Sequence, residues 1–326
     1  MTGRMRLVAA LSTLAIFVLI ARRIAVGPLV AAFRDADYVT FLALMVPNTL
    51  FYFCWDTLVL TTVVRWFHAD VSYREMLPVR AASYVVGFFN TNAGRGAVAA
   101  YLWRRLDAPF LELGSTVIFL VLTEYTQLVA WALLGVFGFR SDLTARLLVI
   151  AASVAFFWLL VFAYTKLHVT PAAVVRWLLA PREWPLLRSF RLATVARFTK
   201  IVLLRAPMFA VSLCAHYFAA HAFGIYIPFG RMLTFLPVIF MAAALPVTVA
   251  HLGTTQAAWI FFFGEYAPAP RLLAFSLAAH FSFALTRALM GLMWLPSAYG
   301  DLMSPAGRSA VYSTGGGGAL KEPTIG

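Results

Sequence analysis

The sequence predicts an all-α polytopic membrane protein with about six full transmembrane helices, two re-entrant or broken helical hairpins and an inverted-topology repeat. Hydrophobic residues make up 62% of the chain and charged residues only 12%, whereas soluble domains contain about 45–50% apolar and about 25% charged residues. The apolar stretches also match the roughly 20 residues that cross the hydrocarbon core of a bilayer. The net charge of +13 therefore indicates basic cytoplasmic loops and anionic lipids rather than nucleic acid.

The first half of the chain, about residues 1–140, is predicted to contain three spans and one hairpin. Its opening apolar run is followed by Arg22 and Arg23, where a signal peptide would carry small residues for cleavage, so we expect an uncleaved first helix. The apolar segment 81–103 is interrupted by the polar stretch Asn90–Gly96, which predicts a hairpin with a non-helical break. The predicted spans are 7–23, 38–64 and 113–139.

The second half, about residues 141–303, shows the same order of elements. Segment 232–264 has no formal charge, is longer than one span and is too short for two spans with a loop. It contains the polar stretch His251–Gln256, which predicts a second hairpin. Because non-helical backbone at membrane depth needs protein or water around it, both breaks are expected to face an interior cavity. The predicted spans are 147–165, 206–230 and 272–300.

The distribution of arginine and lysine predicts the topology. The segment 166–205 holds eight basic residues and one acid, which is typical of a cytoplasmic loop. If each predicted span crosses the membrane once and each hairpin returns to the side from which it enters, both termini and Arg80 lie in the cytoplasm. The two halves then have opposite orientations, as in many secondary transporters. We expect one transmembrane domain, 1–303, in a bacterial inner membrane, and a flexible tail, 304–326.

Charges inside apolar segments are the candidates for function, because an ionisable group at the centre of a transmembrane helix costs at least about 2.5–3.5 kcal/mol. Arg95, with Asn90, Asn92, Gly94 and Gly96 around it, could bind a phosphate through its guanidinium and free amides. Alternatively, Arg95 is a structural partner of an acid in another helix. The candidate for that acid is Glu124, and Gln127 lies one helical turn after it.

The remaining candidates lie in three other apolar segments. Arg287 either binds an anionic head group or caps carbonyls near the second break, where His251, Thr254, Thr255 and Gln256 are further candidates for binding. Asp56 could carry a coupling proton, or it could simply be hydrogen-bonded inside the bundle. His216 and His221 are five residues apart and do not share a helix face, so we predict no metal site and no cofactor.

The sequence resembles a known family in two stretches. Gly87-Phe-Phe-Asn90-Thr-Asn-Ala-Gly94-Arg95-Gly96, followed by Tyr101-Leu-Trp-Arg104-Arg105, is similar to the signature of flippase-like membrane proteins related to the transmembrane region of lysylphosphatidylglycerol synthetase. Glu124, the stretch from Leu245-Pro246 to Gln256, and Arg287 with Gly291 match later features of that family. The chain departs from the family at Ala93, Tyr125 and Gln256, where proline, arginine and glutamate are usual.

The resemblance implies two re-entrant segments that meet at the core, and movement of a lipid between leaflets. We therefore expect a transporter, not an enzyme, for an anionic lipid or lipid-linked amphiphile, with membrane lipids as partners and a homo-oligomer or a lipid enzyme as a further partner. P-loop, Gly-x-Ser-x-Gly and His-Glu-x-x-His motifs are absent from the sequence. The alternatives are an accessory or scaffold protein for a lipid-modifying enzyme and, third, a membrane-embedded lipid-modifying enzyme.

Overall fold

The computed structural model describes residues 25–89, 91–106, 108–138, 144–166, 183–243 and 253–303. These residues form helices and connections and contain no strand, as the composition predicts. The helices are α1 (Val26–Arg34), α2 (Tyr38–Phe67), α3 (Tyr73–Phe89), α4 (Thr91–Arg105), α5 (Phe110–Gly138), α6 (Thr144–Lys166), α7 (Arg188–Leu192), α8 (Val195–His221), α9 (Phe229–Ala243), α10 (Thr254–Phe263) and α11 (Ala269–Met303).

Five of the described helices are long and apolar enough to cross a membrane: α2, α5, α6, α8 and the part of α11 up to Pro296. The predicted fold class, an all-α polytopic membrane protein, is therefore confirmed. The first predicted span lies outside the described residues. Five of the six spans predicted from the sequence thus correspond to a helix in the structure.

Helix α8 begins well before the span predicted at 206–230, and the predicted loop 166–205 accordingly ends at Thr194. The Thr194 side chain caps the helix by accepting a hydrogen bond from the backbone N–H of Arg197 at 3.1 Å. Arg197 and Lys200 lie over the ring of Trp66 at the end of α2, at 5.9 and 5.6 Å from its centroid. These two residues therefore lie in the first turns of α8, where their long side chains contact an aromatic ring.

The first predicted hairpin is present as α3 and α4, but the break is shorter than expected. Thr91–Gly96 are helical, so the prediction of a non-helical stretch over Asn90–Gly96 is wrong for these residues. The two helices have 17 and 15 residues, or about 25 and 22 Å at 1.5 Å per residue. They approach closely at Gly94, where an added methyl group would lie 2.6 Å from the Gly87 Cα atom.

The second predicted hairpin corresponds to α9 and α10. Thr254–Gln256 form the first turn of α10, which corrects the expectation that they lie in non-helical backbone. Gly253 precedes this turn with a φ of 95°, a conformation that favours glycine. Its backbone N–H donates to the Gln256 Oε1 atom at 2.7 Å, so the Gln256 side chain closes the start of the helix.

The two halves pack against each other in a reciprocal manner. The last long helix of each half lies along the first hairpin helix of the other half: α11 along α3, and α5 along α9. Both contacts are tight, because a methyl group at Gly291 would lie 2.7 Å from the Ala81 carbonyl oxygen and one at Gly135 would lie 2.7 Å from the Thr234 Cα atom. The repeated order of elements and this exchange fit two related halves; their opposite orientation in a membrane stays a prediction.

Two apolar clusters occupy opposite ends of the bundle. The larger one joins the start of α2 (Phe41) to the end of α8 (Phe223), α9, α10 (Trp259) and the start of α11 (Phe275). The second joins the end of α2 (Leu60) to α3, α4 and the start of α5. The middle portions of the long helices, where the lone charges of the sequence lie, are therefore enclosed between two apolar layers.

A polar network attaches the connection before α8 to the ends of α2 and α5. The Nδ1 atom of His68 lies 3.3 Å from Arg188 Nη1, which can only donate, so Nδ1 accepts and Nε2 donates to Thr116 Oγ1 at 2.6 Å. Arg188 also pairs with Glu112 at 2.8 Å. Burial and the neighbouring Arg188 charge lower the pKa of His68 to about 4, so the ring is neutral near pH 7.

Candidate functional site

A cavity of about 310 Å³ lies among the middle portions of α2, α5, α8 and α11, and residues of the two hairpins form part of its wall. This volume is at the lower end of the range for ligand pockets, about 300–1,000 Å³. Every long helix except α6 contributes lining residues, and α6 packs at the periphery with an outer face of exposed apolar side chains. Gly94 and Arg95 of the first predicted break and Thr255 of the second line this cavity.

Two carboxylates and three arginines form a connected ion-pair cluster at one side of this cavity. Asp56 on α2 pairs with Arg80 of α3 and lies 3.9 Å from Arg205 of α8. Glu124 on α5 lies 3.2 Å from Arg205 and 3.6 Å from Arg95 of α4. Arg205 is only 3% exposed and contacts both acids, so it connects the two halves of the cluster.

The pair between Arg95 and Glu124 that the sequence suggests is thus present, in a loose form. Their separation of 3.6 Å exceeds the 2.7–2.9 Å typical of a direct charge-assisted hydrogen bond, about 0.7 Å longer than the upper value. The two side chains are also 24% and 29% exposed, compared with 4% for Arg205 and 6% for Asp56. Arg95 and Glu124 consequently form the most accessible pair in the cluster.

Arg287 of α11 is held by aromatic rings. Its guanidinium carbon lies 3.6 Å from the centroid of the Tyr84 ring and 5.0 Å from that of Phe283. The Arg80 guanidinium also lies over Tyr84, at 5.1 Å. Among the described residues, no acid forms an ion pair with Arg287, and the contacts described for it are not with the carbonyls of α10.

Uncharged polar side chains continue the site along α2, α5 and α8. Asn48 and Tyr52 line the cavity on the same face of α2 as Asp56, as their spacing of four residues predicts. The Ser212 hydroxyl donates to the Asn48 Oδ1 atom at 3.0 Å. Within the described part of the chain, the Nδ2 atom of Asn48 and the Nε2 atom of Gln127 are buried without a partner.

The opposite side of the cavity is aromatic. The His216 ring stacks on Trp259 with centroids 6.5 Å apart and meets Phe240 edge to face at 5.5 Å. Its Nδ1 atom lies 2.7 Å from the Ser212 carbonyl oxygen, to which it donates. His216 therefore forms part of the wall, while His221 stacks on Tyr226 at 5.1 Å near the end of α8.

A second, smaller cavity of about 40 Å³ lies beyond the ion-pair cluster. It is lined by Asp56 and by apolar residues of α2, α4 and α5, including Leu60 and Val98 of the second apolar cluster. This volume holds a few water molecules at most, since one water needs about 10–15 Å³. Four side chains line both cavities and so form an ionic layer between them: Arg80, Arg95, Glu124 and Arg205.

The structure brings together about half of the side chains chosen from the sequence. Asp56 lines the smaller cavity, whereas Gly96 is exposed, and Thr254 and Gln256 lie in the first turn of α10 outside the cavity lining. Asn90, His251 and the side chain of Asn92 lie outside the described residues. The residues that line the larger cavity are Gly94, Arg95, Glu124, Gln127, Thr255 and Arg287.

Arg80 and Arg205 are functional candidates that could not be chosen from the sequence, because both lie in segments that it predicts to be cytoplasmic. Both are in the ion-pair cluster, with side chains 19% and 4% exposed. Each follows a run of charged residues, Arg74 and Glu75 before Arg80, and Arg197 and Lys200 before Arg205. The acid Asp56, otherwise uncompensated in an apolar helix, is the sequence signal that a further basic partner was needed.

The chain matches no protein-family model, and no characterised protein is similar to it at a significant level. The similarity to flippase-like proteins therefore rests on the short stretches quoted above and stays an expectation.

Proposed function

We propose that this protein is a flippase-like transporter that moves an anionic lipid, or a lipid-linked amphiphile, between the two leaflets of its membrane. The observation that carries the proposal is the cavity of about 310 Å³ lined by Arg80, Arg95, Arg205 and Arg287 in the middle of membrane-spanning helices. Charged groups at that depth are costly and usually mark a path for a substrate. An arginine-lined cavity suits a phosphate-bearing head group.

Arg95 is proposed to hold the head group and Glu124 to replace it when the site is empty. The loose 3.6 Å separation of this pair supports such an exchange, because a phosphate oxygen at hydrogen-bond distance would be a better partner than the carboxylate. Arg205 keeps Glu124 paired at 3.2 Å when Arg95 turns to the substrate. No unpaired carboxylate is then left in the core, which would otherwise cost several kcal/mol, about 3–5 for a buried pair that loses one partner.

The ionic layer is proposed to separate the two access paths. It lies between the large cavity and the small one, and the apolar side chains of Leu60 and Val98 continue beyond it. A head group bound to Arg95 would weaken the contacts that close this layer. Movement of the two halves, which meet at the tight α3–α11 and α5–α9 contacts, would then expose the site alternately, as in transporters built from repeats.

Leaflet exchange of a fluorescent anionic lipid in proteoliposomes tests the proposal. The full chain is expected to accelerate exchange over empty vesicles, and Arg95→Ala to reduce the rate by about tenfold or more, the value of one lost charge-assisted contact. Arg104→Ala is the matched control, since Arg104 lies on the same helix with an exposed side chain. It is expected to keep the wild-type rate.

Two results would contradict the proposal. Exchange by Arg95→Ala at the wild-type rate removes Arg95 from the transport path. Exchange by the wild-type chain at the rate of empty vesicles removes transport itself, and lipid binding without exchange then favours the accessory or scaffold protein, which copurification with a lipid enzyme would reveal.

A further inference from the structure

The charges around the large cavity do not balance. Four guanidinium groups, those of Arg80, Arg95, Arg205 and Arg287, belong to the cluster or line the cavity beside it. They face two carboxylates, Asp56 and Glu124, so two positive charges are left over among the described residues. Because each uncompensated charge inside a membrane is expensive, a bound anion would lower the cost of this excess.

We infer that the head group taken by this cavity is a phosphoryl group with two negative charges, a phosphate monoester or a pyrophosphate diester, carried by a lipid. The inference rests on the proposed function and narrows its substrate class. A phosphodiester head such as phosphatidylglycerol carries one negative charge and would neutralise only half of the excess. A dianion removes it completely while both carboxylates keep their arginine partners.

The hydrogen-bonding groups around the cavity point to the same chemistry. Buried polar atoms that lack a partner among the described residues include the Nε atoms of Arg80, Arg205 and Arg287 and the amide nitrogens of Asn48 and Gln127. Asn48 is 3% exposed and Gln127 is 5% exposed, and both line the cavity. All of these atoms are donors, and a phosphoryl group offers only acceptors when fully ionised.

Arg287 is the side chain that distinguishes a dianion from a monoanion. The ring of Tyr84, 3.6 Å away, supports one face of its guanidinium, and no described acid forms an ion pair with it. Its planar edge of N–H groups therefore remains suited to two phosphoryl oxygens. Arg95 would bind the first charge of the head group, and Arg287 the second.

The shape and lining of the cavity indicate that the phosphoryl group arrives on a lipid. A volume of about 310 Å³ holds a head group but no long chains, so the rest of a lipid must extend past the wall. Phe88 lines the cavity and is also 39% exposed at the surface, and Phe283 and Ala284 lie in the same lining. These apolar side chains offer a path for a hydrocarbon chain that a free phosphate would not need.

The test compares ligands that share their acyl chains. The purified full chain in detergent is titrated at about pH 8, where a phosphate monoester carries close to two charges, with dioctanoyl phosphatidic acid, phosphatidylglycerol and phosphatidylcholine, and with inorganic pyrophosphate. Affinities come from the rise of the thermal unfolding midpoint with ligand concentration. Phosphatidic acid is expected to bind about tenfold or more tightly than phosphatidylglycerol, and phosphatidylcholine and pyrophosphate to bind more weakly still.

One substitution links the preference to the excess charge. Arg287→Gln is expected to weaken phosphatidic acid binding by about tenfold while phosphatidylglycerol binding changes less. Arg34→Gln, at a side chain that is 87% exposed, is the control and should leave both affinities unchanged. The wild-type ligand series needs no variant, so the inference stays testable even where Arg287→Gln does not fold.

Equal affinity for phosphatidic acid and phosphatidylglycerol would overturn the inference, although leaflet exchange of either lipid would leave the proposed function standing. Binding of inorganic pyrophosphate as tight as that of phosphatidic acid would mean that the site takes a soluble anion. A clear preference for phosphatidic acid without leaflet exchange would uphold the site and refute the transport.

Discussion

Replacing Gly94 with alanine tests whether the first hairpin is packed as described. A methyl group at this position would lie 2.6 Å from the Gly87 Cα atom, 2.8 Å from the Ser83 carbonyl oxygen and 2.9 Å from the Gly87 nitrogen. Non-bonded carbon atoms prefer separations of about 3.5–4.0 Å, so the overlap is about 1 Å. All three atoms belong to the backbone of α3, which cannot rotate away, and the two helices must therefore separate.

Gly96 provides a matched control on the same helix. A methyl group there meets no atom within 4 Å, so Gly96→Ala should only gain the helix preference of alanine, about 0.5–1 kcal/mol. Gly94→Ala gains the same amount but has to bear an overpacking cost of about 1–3 kcal/mol. The free energies of unfolding of the two variants should thus differ by about 1–3 kcal/mol, with Gly94→Ala the less stable.

Thermal unfolding in detergent, followed by tryptophan fluorescence at one scan rate, measures this difference. A gap of 1 kcal/mol shifts the midpoint of a chain of 326 residues by about 1.5 °C, so the two variants should be separated by about 1.5–4.5 °C. Equal midpoints for Gly94→Ala and Gly96→Ala would refute the close α3–α4 contact. Because Gly94 also lines the cavity, Gly94→Ala should lower leaflet exchange as well, whereas Gly96→Ala should not.

Three further predictions concern the other contacts. Arg205→Met removes the arginine that contacts both acids, which leaves Asp56 with Arg80 and Glu124 with the more distant Arg95, and should destabilise the fold by about 1.5–3 kcal/mol, the value of a hydrogen bond to a charged group. Thermal unfolding should show a smaller loss from Arg205→Met once Asp56→Asn is present, and independent effects would argue against the ion-pair cluster. Gly291→Ala should lower the midpoint because its methyl group would lie 2.7 Å from the Ala81 carbonyl oxygen, and an unchanged midpoint would contradict the α3–α11 contact. His68 has a pKa lowered to about 4 in the folded protein, so it binds a proton more readily in the unfolded chain. The free energy of unfolding should therefore fall as the pH drops from about 6.5 towards 4, by less than about 1.4 kcal/mol per pH unit because the ring is partly exposed. The stability of His68→Gln should depend less on pH, and an identical pH dependence would refute this role of His68.

The residues that carry the site divide into two groups by how they could be found. Four of them are lone charges in apolar segments, and the cost of such a charge in a membrane identifies them from the sequence alone. They are Arg95, Glu124, Arg287 and Asp56. Arg205 could not be recognised from the sequence, because charged residues precede it and the local composition is typical of a loop. It is buried only because Asp56 and Glu124 of two other helices lie beside it.

The sequence by itself determined the class of the protein, the order of its long helices and the positions of the two hairpins, because these depend on local composition and on the length needed to cross a bilayer. Only the tertiary structure decided that Thr91–Gly96 and Thr254–Gln256 are helical, that α8 begins at Val195, and that four arginines and two acids gather beside one cavity. The physical reason is that burial of a charge depends on which helices pack around it. Hydropathy along the chain averages over neighbours in sequence, whereas an ion pair joins neighbours in space.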